Sequence, residues 1–531
     1  MALSTLKKFW VFYSIALALF ILMPMLKYYN LHSSILDLGI FQAEFFGKKY
    51  LNGSSRATLN HFQPIVHVYA FIVNFFSAKY IPYVILFLQG FSLSIPIILF
   101  RHLSQYTAIA LIAYTLFFPV WFNVLFDFHL DHLSVPILAA YFLCIKSGRM
   151  GLAVFFAISL ATVKEPFALQ TAMCGIYMFG SHWHNIRKES NDDLHFHNNL
   201  KVYCYSLGLV IFGFGYFYIA TNYIIPSYSG GEVNWFSSGA FSWMGSNISE
   251  IILYLISHPF EIFIDIVSTP GKFIYIIALF GALAFIPLLK PSPLVVALPI
   301  FAISLLSKHE GYYGLGHQYT AGLISPMIFS FLGGLHRAKI IWKKIMIRGF
   351  RLPIRYFTFI LIFTLFASHI AVAPSPIGRL FWTDKIWLYN YKAYIPSKRD
   401  SMIKRAITDH IPNDINVVVS IQNTINWLPL LQRQHFLIFP NGVNNEKRVL
   451  SFVKKNGPNE FEWKTVTADF VVLDSKRPWF LVDQGCGWVY GKCSDDIIAD
   501  EYISWVEKST GIMQVVYEND GFIILKRDKR P

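Results

Sequence analysis

Long apolar runs separated by short polar connections fill the first 377 residues of the chain. A helix needs roughly 20 apolar residues to cross a bilayer, and the runs predict eleven spans. They are expected at 8–27, 80–100, 106–126, 133–146, 150–163, 167–180, 201–225, 272–289, 293–307, 318–335 and 353–373. Several are shorter than a full crossing, and "VKEP" divides 150–163 from 167–180 as the tip of a hairpin. The pattern predicts a polytopic α-helical membrane domain over residues 1–377.

The pattern changes after residue 378. Four short apolar segments, "INVVVSI", "HFLIFP", "ADFVVLD" and "GFIILKR", alternate with polar stretches that are compatible with helices. This alternation predicts a small α/β domain over residues 378–531. Two earlier connections, 28–79 and 226–271, are long enough for surface elements. The second contains the amphipathic stretch "ISEIILYLISHPFEIFIDIV", which is typical of an interfacial helix.

Composition and charge support a membrane protein. Charged residues make up 14% and hydrophobic residues 55% of the chain, whereas a soluble domain carries about 25% charge. Of the 45 Lys and Arg residues, 24 precede residue 378, against 13 of the 31 acids. This basic excess lies mostly in short connections, as the positive-inside rule expects. The net charge of +14 therefore reports topology and not a nucleic-acid partner, with the N-terminus inside and the C-terminal domain outside.

The acids of the membrane domain favour the opposite side. Three of the 13 lie inside on this topology, and the other ten lie outside: Asp37, Glu44, Asp127, Asp131, Glu165, Glu232, Glu250, Glu261, Asp265 and Glu310. Acids contribute little to orientation, so topology does not require this clustering. Ionisable groups at the ends of short spans are typical of a water-filled cavity.

Five polar groups on this outer side are candidates for chemistry. They lie in "ILDLGIF", "NHFQPIV", "LFDFHLDHLSV", "VKEP" and "KHEGYYGLGHQY", and they supply Asp37, His61, Gln63, Asp127, His129, Asp131, Lys164, Glu165, Lys308, His309, His317 and Tyr319. Ordinary structural roles compete with function at each group. The aspartates can cap helices or turns, Lys164 and Glu165 can form a local ion pair, and His317 and Tyr319 can be interfacial anchors.

Metal binding and a disulfide are two further hypotheses. Asp127, His129 and Asp131 are candidate ligands of a divalent ion, because mixed Asp and His ligation suits several transition metals, although no spacing here is diagnostic. Cys144, Cys174 and Cys204 lie in predicted spans, as small core hydrophobes do. Cys486 and Cys493 lie in the outer domain and can pair if that compartment is oxidising.

The order of these motifs resembles the type C glycosyltransferase (GT-C) fold, whose members use polyprenyl-phosphate sugars. In that fold an acid follows span one, as Asp37 does, and a Pro-containing motif such as "HFQPIVHVY" precedes a membrane-lying stretch. The pair Leu130–Asp131 matches an acidic motif that opens a later span, and "VKEP" matches a Lys-centred turn. "HQYTAGLISPMIF" matches a late motif of the membrane domain, and an outer soluble domain often closes the chain.

The whole chain also resembles a prokaryotic multi-pass membrane family of unknown function. The residues that carry this likeness are "DLGIF", "HFQP", "FDFHLDHLSVP" and "VKE" in this order, followed by "ADFVVLD" and "DGFIILKR". The likeness covers nearly all of the chain and implies a prokaryotic cytoplasmic membrane. It implies no activity, so the step to glycosyl transfer depends on the analogy of fold.

The GT-C resemblance implies transfer of a hexose or pentose from a polyprenyl phosphate to an envelope glycan or lipid on the outer face. It implies that Asp37 is the general base and that the carboxylates of Asp131 and Glu165 are further catalytic residues. It implies contacts to donor or acceptor from His61, Gln63, Asp127, His129, Lys164, Lys308, His309, His317 and Tyr319. One departure is that type C enzymes usually carry two adjacent acids after span one, whereas Leu38 and Gly39 follow Asp37 here.

Two other classes of function fit the same pattern. A transporter or flippase of lipid-linked or small polar substrates would use buried ionisable groups along its substrate path. The sequence lacks the paired internal repeats that many transporters show, which favours the enzyme. A binding or assembly protein would use the outer α/β domain for recognition and the spans only as an anchor.

Overall fold

A computed structural model describes most of the chain. The described residues are 3–50, 61–186, 194–229, 239–344, 346–347, 350–351, 353–383, 389–433, 435–443, 446–453, 460–477 and 507–528. Cys486 and Cys493, and with them the disulfide hypothesis, lie outside these ranges. The described part is mostly helical and carries a small C-terminal sheet.

Most of the helices from α1 to α18 pack around one large apolar core. In chain order they are α1 Leu3–Tyr29, α2 Ile40–Tyr50, α3 Val66–Val73, α4 Ile81–Leu99, α5 Thr107–Leu116, α6 Phe118–Leu125, α7 Ser134–Lys146, α8 Met150–Ala161, α9 Glu165–Ile186, α10 Leu194–Ile219, α11 Ile225–Ser229, α12 Ile248–Ser257, α13 Pro259–Ser268, α14 Pro270–Gly281, α15 Leu298–Leu306, α16 Glu310–Tyr313, α17 Ala321–Lys344, α18 Ile354–Val372, α19 Lys398–His410 and α20 Leu428–Leu431.

Four helical stretches in the described residues are long and apolar enough to cross a membrane: Lys8–Tyr29, Ala78–Leu103, Leu200–Ser227 and Ile354–Val372. The number rises to six if the bent pairs α5–α6 and α12–α13, which turn by 55° and 89°, each count as one span. The predicted count of eleven is therefore not confirmed. Helix α7 has 13 residues and α8 has 12, which gives each about 20 Å against a hydrocarbon core of about 30 Å.

Small residues let the long helices approach closely. A Cβ atom added at Gly90 of α4 would lie 2.3 Å from the Phe20 carbonyl oxygen of α1. Gly175 of α9 and Gly213 of α10 lie where these two helices touch. A Cβ added at either glycine would lie 2.5 Å from a backbone oxygen of the other helix. Such contacts between backbones are a common source of helix association in membranes. Cys174 is buried as expected, whereas Cys204 is exposed on α10 and is not a core residue.

The C-terminal sheet contains the four strands that the sequence predicts. The strands of the chain are β1 Met346–Ile347, β2 Phe350–Arg351, β3 Val419–Ile421, β4 Phe436–Ile438, β5 Lys447–Val453, β6 Glu460–Val466, β7 Phe470–Asp474, β8 Met513–Asn519 and β9 Phe522–Arg527. Five of them form one sheet in the order β4-β3-β7-β9-β8. Strand β3 runs parallel to β4 and β7, and β9 runs antiparallel to β7 and β8. Its apolar strands share their core with helix α19.

The five-stranded sheet and α19 are together called the sheet domain below. The sheet domain packs directly on the connection between α1 and α2. Leu31 and Ile35 belong to the core of the sheet domain and not to that of the helices. Arg477 donates one hydrogen bond to the Leu31 carbonyl oxygen and another to Asp400 Oδ1, both at 2.8 Å. Asn426 Nδ2 donates to the Ser34 carbonyl oxygen at 2.6 Å. The sheet domain thus holds segment 31–35 near both of its ends, immediately before Asp37.

Candidate functional site

Asp37 lies on a single π-helical turn, Ile35–Gly39, that leads into α2. Single π-helical turns are rare in proteins overall, and those that occur are often found at functional sites. The Ile35 N–H donates to the Asn423 carbonyl oxygen at 2.9 Å, so the sheet domain holds the start of the turn. A Cβ at Gly39 would lie 2.7 Å from Ile35 Cγ1, and glycine is therefore the residue that fits at its end. The Asp37 side chain remains 21% exposed.

The loop between α6 and α7 turns sharply at Asp127, which has a φ of 147°. This conformation is unusual for a residue other than glycine and persists only where neighbouring contacts hold it. The Asp127 carboxylate accepts from Lys27 Nζ at 3.0 Å and from the Ser34 N–H at 2.6 Å. Gln89 bridges the loop, donating to the Asp127 carbonyl oxygen at 2.8 Å and accepting from the His129 N–H at 3.1 Å.

Four charged or titratable side chains follow one another beyond this turn. His129 Nε2 lies 2.8 Å from Asp37 Oδ1, and His129 Nδ1 lies 3.5 Å from Asp131 Oδ2. The same Asp131 oxygen lies 3.9 Å from Lys164 Nζ. Asp37, His129, Asp131 and Lys164 are called the Asp37 network below. It joins three of the five sequence motifs through side-chain contacts.

The Asp37 network places a positively charged imidazole between two carboxyl groups. Burial opposes a charged imidazole, but Asp37 and Asp131 outweigh this effect and raise the pKa of His129 to about 9. Burial alone would raise the pKa of Asp131, but Lys164 and His129 hold it well below its ordinary value. At neutral pH an imidazolium therefore stands between the two carboxyl groups, and Asp131 is ionised.

His61 and Glu165 form a second pair beside the network. His61 Nδ1 lies 2.7 Å from Glu165 Oε1, and the Phe62 N–H donates to Glu165 Oε2 at 3.1 Å. Burial and the positive charge of Lys164 lower the pKa of His61. Lys164 faces Asp131 and Glu165 faces His61, so the local ion pair considered for "VKEP" is not what the fold forms.

A cleft opens where the Asp37 network and the His61–Glu165 pair meet. About 50 Å³ of it can hold the centre of a water molecule, and the total empty space, including the opening to solvent, is about 560 Å³. It is lined by His61, Asp131, Lys164, Glu165, Pro166, Phe167, Phe241, Ile300, Ile303, Ser304, Tyr312, Gln318 and Tyr319. Its lining combines a few polar and charged side chains with apolar and aromatic ones, as ligand-binding sites commonly do.

A buried oxygen at the cleft points to a ligand or to ordered water. Asp131 Oδ1 has no hydrogen-bond partner within the described part of the chain. The Asp131 side chain is more than nine-tenths buried and lines the cleft. Buried polar atoms in native proteins are nearly always hydrogen-bonded, and the cleft is large enough for a few waters.

The predicted site residues divide into two sets. Five of them line the cleft: His61, Asp131, Lys164, Glu165 and Tyr319. His129 is connected to it through Asp131, and Asp37 through His129.

The remaining predicted residues, Gln63, Asp127, Lys308, His309 and His317, lie outside the lining. Lys308 pairs with Asp265 and lies over the Trp243 ring, 4.4 Å from its centroid. His309 caps α16 by accepting from the Gly311 N–H at 3.1 Å. The His317 ring packs against Phe126 at 5.2 Å, and burial lowers the pKa of His317 to about 4.

Three residues of the site were missed by the sequence analysis. Gln318 lines the cleft and has its amide nitrogen 3.0 Å from His129 Nε2. Tyr312 lines the cleft with its ring 4.5 Å from that of Tyr319. Lys27, which is 1% exposed, holds Asp127. Lys27 had a usable signal, because a lysine at the end of an apolar span needs a nearby partner.

The three metal-ligand candidates do not converge. Asp127 faces Lys27 and Ser34, whereas Asp131 faces His129 and Lys164. Within the described ranges, no group of three or more His, Cys, Asp or Glu side chains is placed to hold a metal ion. The carboxylates of this loop are partnered by cationic side chains instead.

A family model described as a predicted membrane protein, DUF2079, matches residues 27–463. The chain belongs to this family. The match includes Asp37 and every residue that lines the cleft, from His61 to Tyr319, and agrees with association with a lipid bilayer. No curated protein and no solved structure matches the chain. Membership of DUF2079 confirms the predicted likeness to a membrane family, and the likeness to type C glycosyltransferases stays a proposal.

Proposed function

We propose that this DUF2079 protein is a glycosyltransferase that moves a sugar from a polyprenyl phosphate to a glycan or lipid acceptor. The observation that carries the proposal is the Asp37 network, which joins a partly exposed carboxylate to a lysine at the cleft through three contacts of 2.8, 3.5 and 3.9 Å. The Lys and Arg residues in the short connections favour a topology with the N-terminus inside. On this topology the cleft faces the outer side of a prokaryotic cytoplasmic membrane.

Asp37 is the proposed general base. The acceptor hydroxyl oxygen attacks the anomeric carbon, the bond from that carbon to the phosphate oxygen breaks, and its electron pair leaves with the lipid phosphate. The hydroxyl proton passes to a carboxylate within hydrogen-bond reach. Asp131 suits this role poorly because its pKa is held well below the ordinary value, which makes it a weak base. Its role is to orient His129, which in turn orients Asp37.

The cleft also supplies groups for the departing phosphate. The Lys164 ammonium group lines the cleft, and a cation beside the position where negative charge develops stabilises the transition state. Phe167, Ile300 and Ile303 also line the cleft and suit the first isoprene units. Because only about 50 Å³ of the cleft can hold the centre of a water molecule, the sugar is proposed to bind at the mouth of the cleft.

Sugar transfer by the full-length protein in proteoliposomes tests the proposal. A panel of labelled polyprenyl-phosphate hexoses and pentoses is supplied with extracted envelope glycans and lipids, and labelled product is measured. With the accepted donor, Asp37→Asn is expected to lower the rate about 10²- to 10⁴-fold. The matched control is Glu261→Gln, an acid of α13 that accepts from Tyr254 outside the cleft. Absence of transfer with every donor, or unchanged transfer by Asp37→Asn, contradicts the proposal.

Transport of a lipid-linked or small polar substrate is the alternative function. A carrier needs a path that reaches both faces, and α9 leads away from the cleft into packed core. There Gln170 is buried and donates to the carbonyl oxygens of Val296 and Gly322, both at 2.9 Å. This packing favours transfer over transport. Movement of labelled lipid across the proteoliposome membrane without any acceptor would favour the alternative.

A further inference from the structure

A second, larger cavity lies towards the C-terminal ends of α7 and α9, two helices that begin beside the cleft. Helix α7 begins at Ser134, three residues after Asp131, and its last residue Lys146 lines this second cavity. Helix α9 begins at Glu165 and reaches the second cavity at Ile176. At 1.5 Å per residue both paths are about 17–18 Å long, which is shorter than the roughly 30 Å hydrocarbon core of a membrane.

The side chains that line this cavity are mainly basic and apolar. Its volume, counted as the space that can hold the centre of a water molecule, is about 750 Å³, against about 50 Å³ for the cleft by the same measure. The basic side chains of its lining are Lys146, Lys290 and His336, and no acid is among the residues that line it. Its apolar wall includes Phe142 and Phe329, whose rings stack at 4.9 Å.

The surrounding helices hold the two lysines in place. Lys146 Nζ lies 5.9 Å from the centroid of the Tyr106 ring, which also lines the cavity. Ser330 of α17 donates to the Lys290 carbonyl oxygen at 2.7 Å. A Cβ at Gly333 would lie 2.8 Å from Lys290 Cγ, so this glycine leaves room for the lysine stem. The two ammonium groups belong to one cavity wall, with no carboxylate in that wall to neutralise them.

We propose that this second cavity binds an anionic phospholipid, with its phosphate at Lys146, Lys290 and His336 and an acyl chain along Phe142 and Phe329. Basic pockets between membrane helices bind anionic head groups in this way. Free inorganic phosphate shares the headgroup chemistry but has no use for the apolar wall. The proposal is independent of the glycosyltransferase proposal, because none of these residues belongs to the cleft.

Lipid retention by the full-length protein is the primary test. The protein is reconstituted in nanodiscs that contain phosphatidylglycerol and phosphatidylcholine, released, and examined by native mass spectrometry. Retained phosphatidylglycerol is expected to exceed phosphatidylcholine. Lys146→Gln and Lys290→Gln are each expected to weaken its retention about fivefold, from roughly 1 kcal/mol per basic residue. Lys339→Gln, an exposed lysine of α17 outside the lining, is the matched control and should leave retention unchanged.

A filling variant separates the cavity from general surface charge. A Cβ at Gly180 has no atom within 4 Å, so Gly180→Phe extends into open space and should keep the thermal midpoint. It is expected to abolish preferential phosphatidylglycerol retention, whereas Gly208→Phe, at an equally open position on α10, should not.

Three results would overturn the lipid assignment. The first is equal retention of the two lipids by the wild-type protein. The second is equal loss of retention in Lys339→Gln and Lys146→Gln. The third is lysine-dependent binding of inorganic phosphate without any lipid preference, which would identify a free-phosphate site instead.

Discussion

Asp127 and Asp131 lie four residues apart in one loop, yet the fold gives them opposite environments. Asp127 has a carboxylate oxygen at 3.0 Å from a buried ammonium group and another at 2.6 Å from a backbone N–H. Asp131 has longer ionic contacts, 3.5 and 3.9 Å, and one oxygen without a hydrogen-bond partner among the described residues. Only Asp131 lines the cleft.

The comparison teaches that partners and not residue type decide what a buried carboxylate does. Burial raises the pKa of Asp127 to about 6, and its bonds to Lys27 and Ser34 join α1, the α6–α7 loop and the segment before Asp37. The surroundings of Asp131 favour its ionised form and leave an oxygen available to a ligand. Asp127 therefore stabilises the loop from which Asp131 and His129 act.

Asp127→Asn is expected to have the largest effect on stability. The amide has nearly the size and shape of the carboxylate, so the backbone demand at φ 147° is the same for both residues, but it leaves the Lys27 ammonium group buried without a counter-charge. Breaking a buried ion pair in this way costs roughly 3–5 kcal/mol of unfolding free energy. The thermal midpoint of the purified protein in detergent measures the loss. The double variant Lys27→Met with Asp127→Asn buries no charge and should recover most of it. A single variant as stable as wild type would contradict the structural role.

The pH dependence of stability follows from His129. Its folded-state pKa is raised to about 9 from about 6.5 in the unfolded chain. The stabilisation is thus complete below about pH 6.5 and is lost as the pH rises through about 9. It amounts to at most roughly 3 kcal/mol at 1.36 kcal/mol per pKa unit. Thermal midpoints between pH 6 and 10 should fall in wild type and fall less in His129→Gln. Parallel curves for the two proteins would refute this assignment.

Asp131→Asn is expected to cost less stability than Asp127→Asn. Its longer contacts suggest a loss of about 1–2 kcal/mol, while sugar transfer should fall about 10²-fold because His129 loses its orientation relative to Asp37. Kinetics and thermal unfolding of the same preparation give both values. Asp131→Glu is the conservative comparison and should restore part of the rate. If Asp131→Asn destabilises as strongly as Asp127→Asn, the contrast between the two aspartates fails.

Asn423→Ala is expected to have the smallest effect. It removes the 2.6 Å bond between Asn423 Oδ1 and Ser34 Oγ, which costs roughly 0.5–1 kcal/mol, and it loosens the turn that carries Asp37. The kcat of transfer should fall severalfold with little change in KM, because the turn positions the base and not the donor. Asn416→Ala, an exposed asparagine that bonds Asp414, is the control. Equal kinetics for the two variants would show that the sheet domain does not position Asp37.

Much of the architecture was predictable because it depends on local pattern. The four C-terminal strands coincide with the apolar segments that predicted them, and the membrane character follows from composition and is confirmed by the family match. The number of spans was less accessible. A long apolar run does not reveal that Phe117 is extended and that α6 begins again at 55° from α5.

The candidate site was predictable only as a set of motifs. Hydropathy placed "DLGIF", "VKE" and "FDFHLDH" at the ends of apolar runs, and the fold brings their side chains into contact. Lys308 and His309 carry the same residue types and an equivalent predicted position, yet Lys308 contacts Asp265 and His309 caps a helix. Residue type and position in a run therefore do not distinguish a cleft residue from a cap or an ion pair.

The sequence by itself determined the membrane class, the apolar helices and the strands of the C-terminal sheet, because hydropathy and periodicity act over a few neighbouring residues. The tertiary structure alone decided which acid is structural and which faces the cleft. The partner of Asp127 is Lys27, 100 residues away, and the partner of Asp131 on the cleft side is Lys164. A buried charge is stable only beside its counter-charge, and that pairing exists only once distant helices pack together.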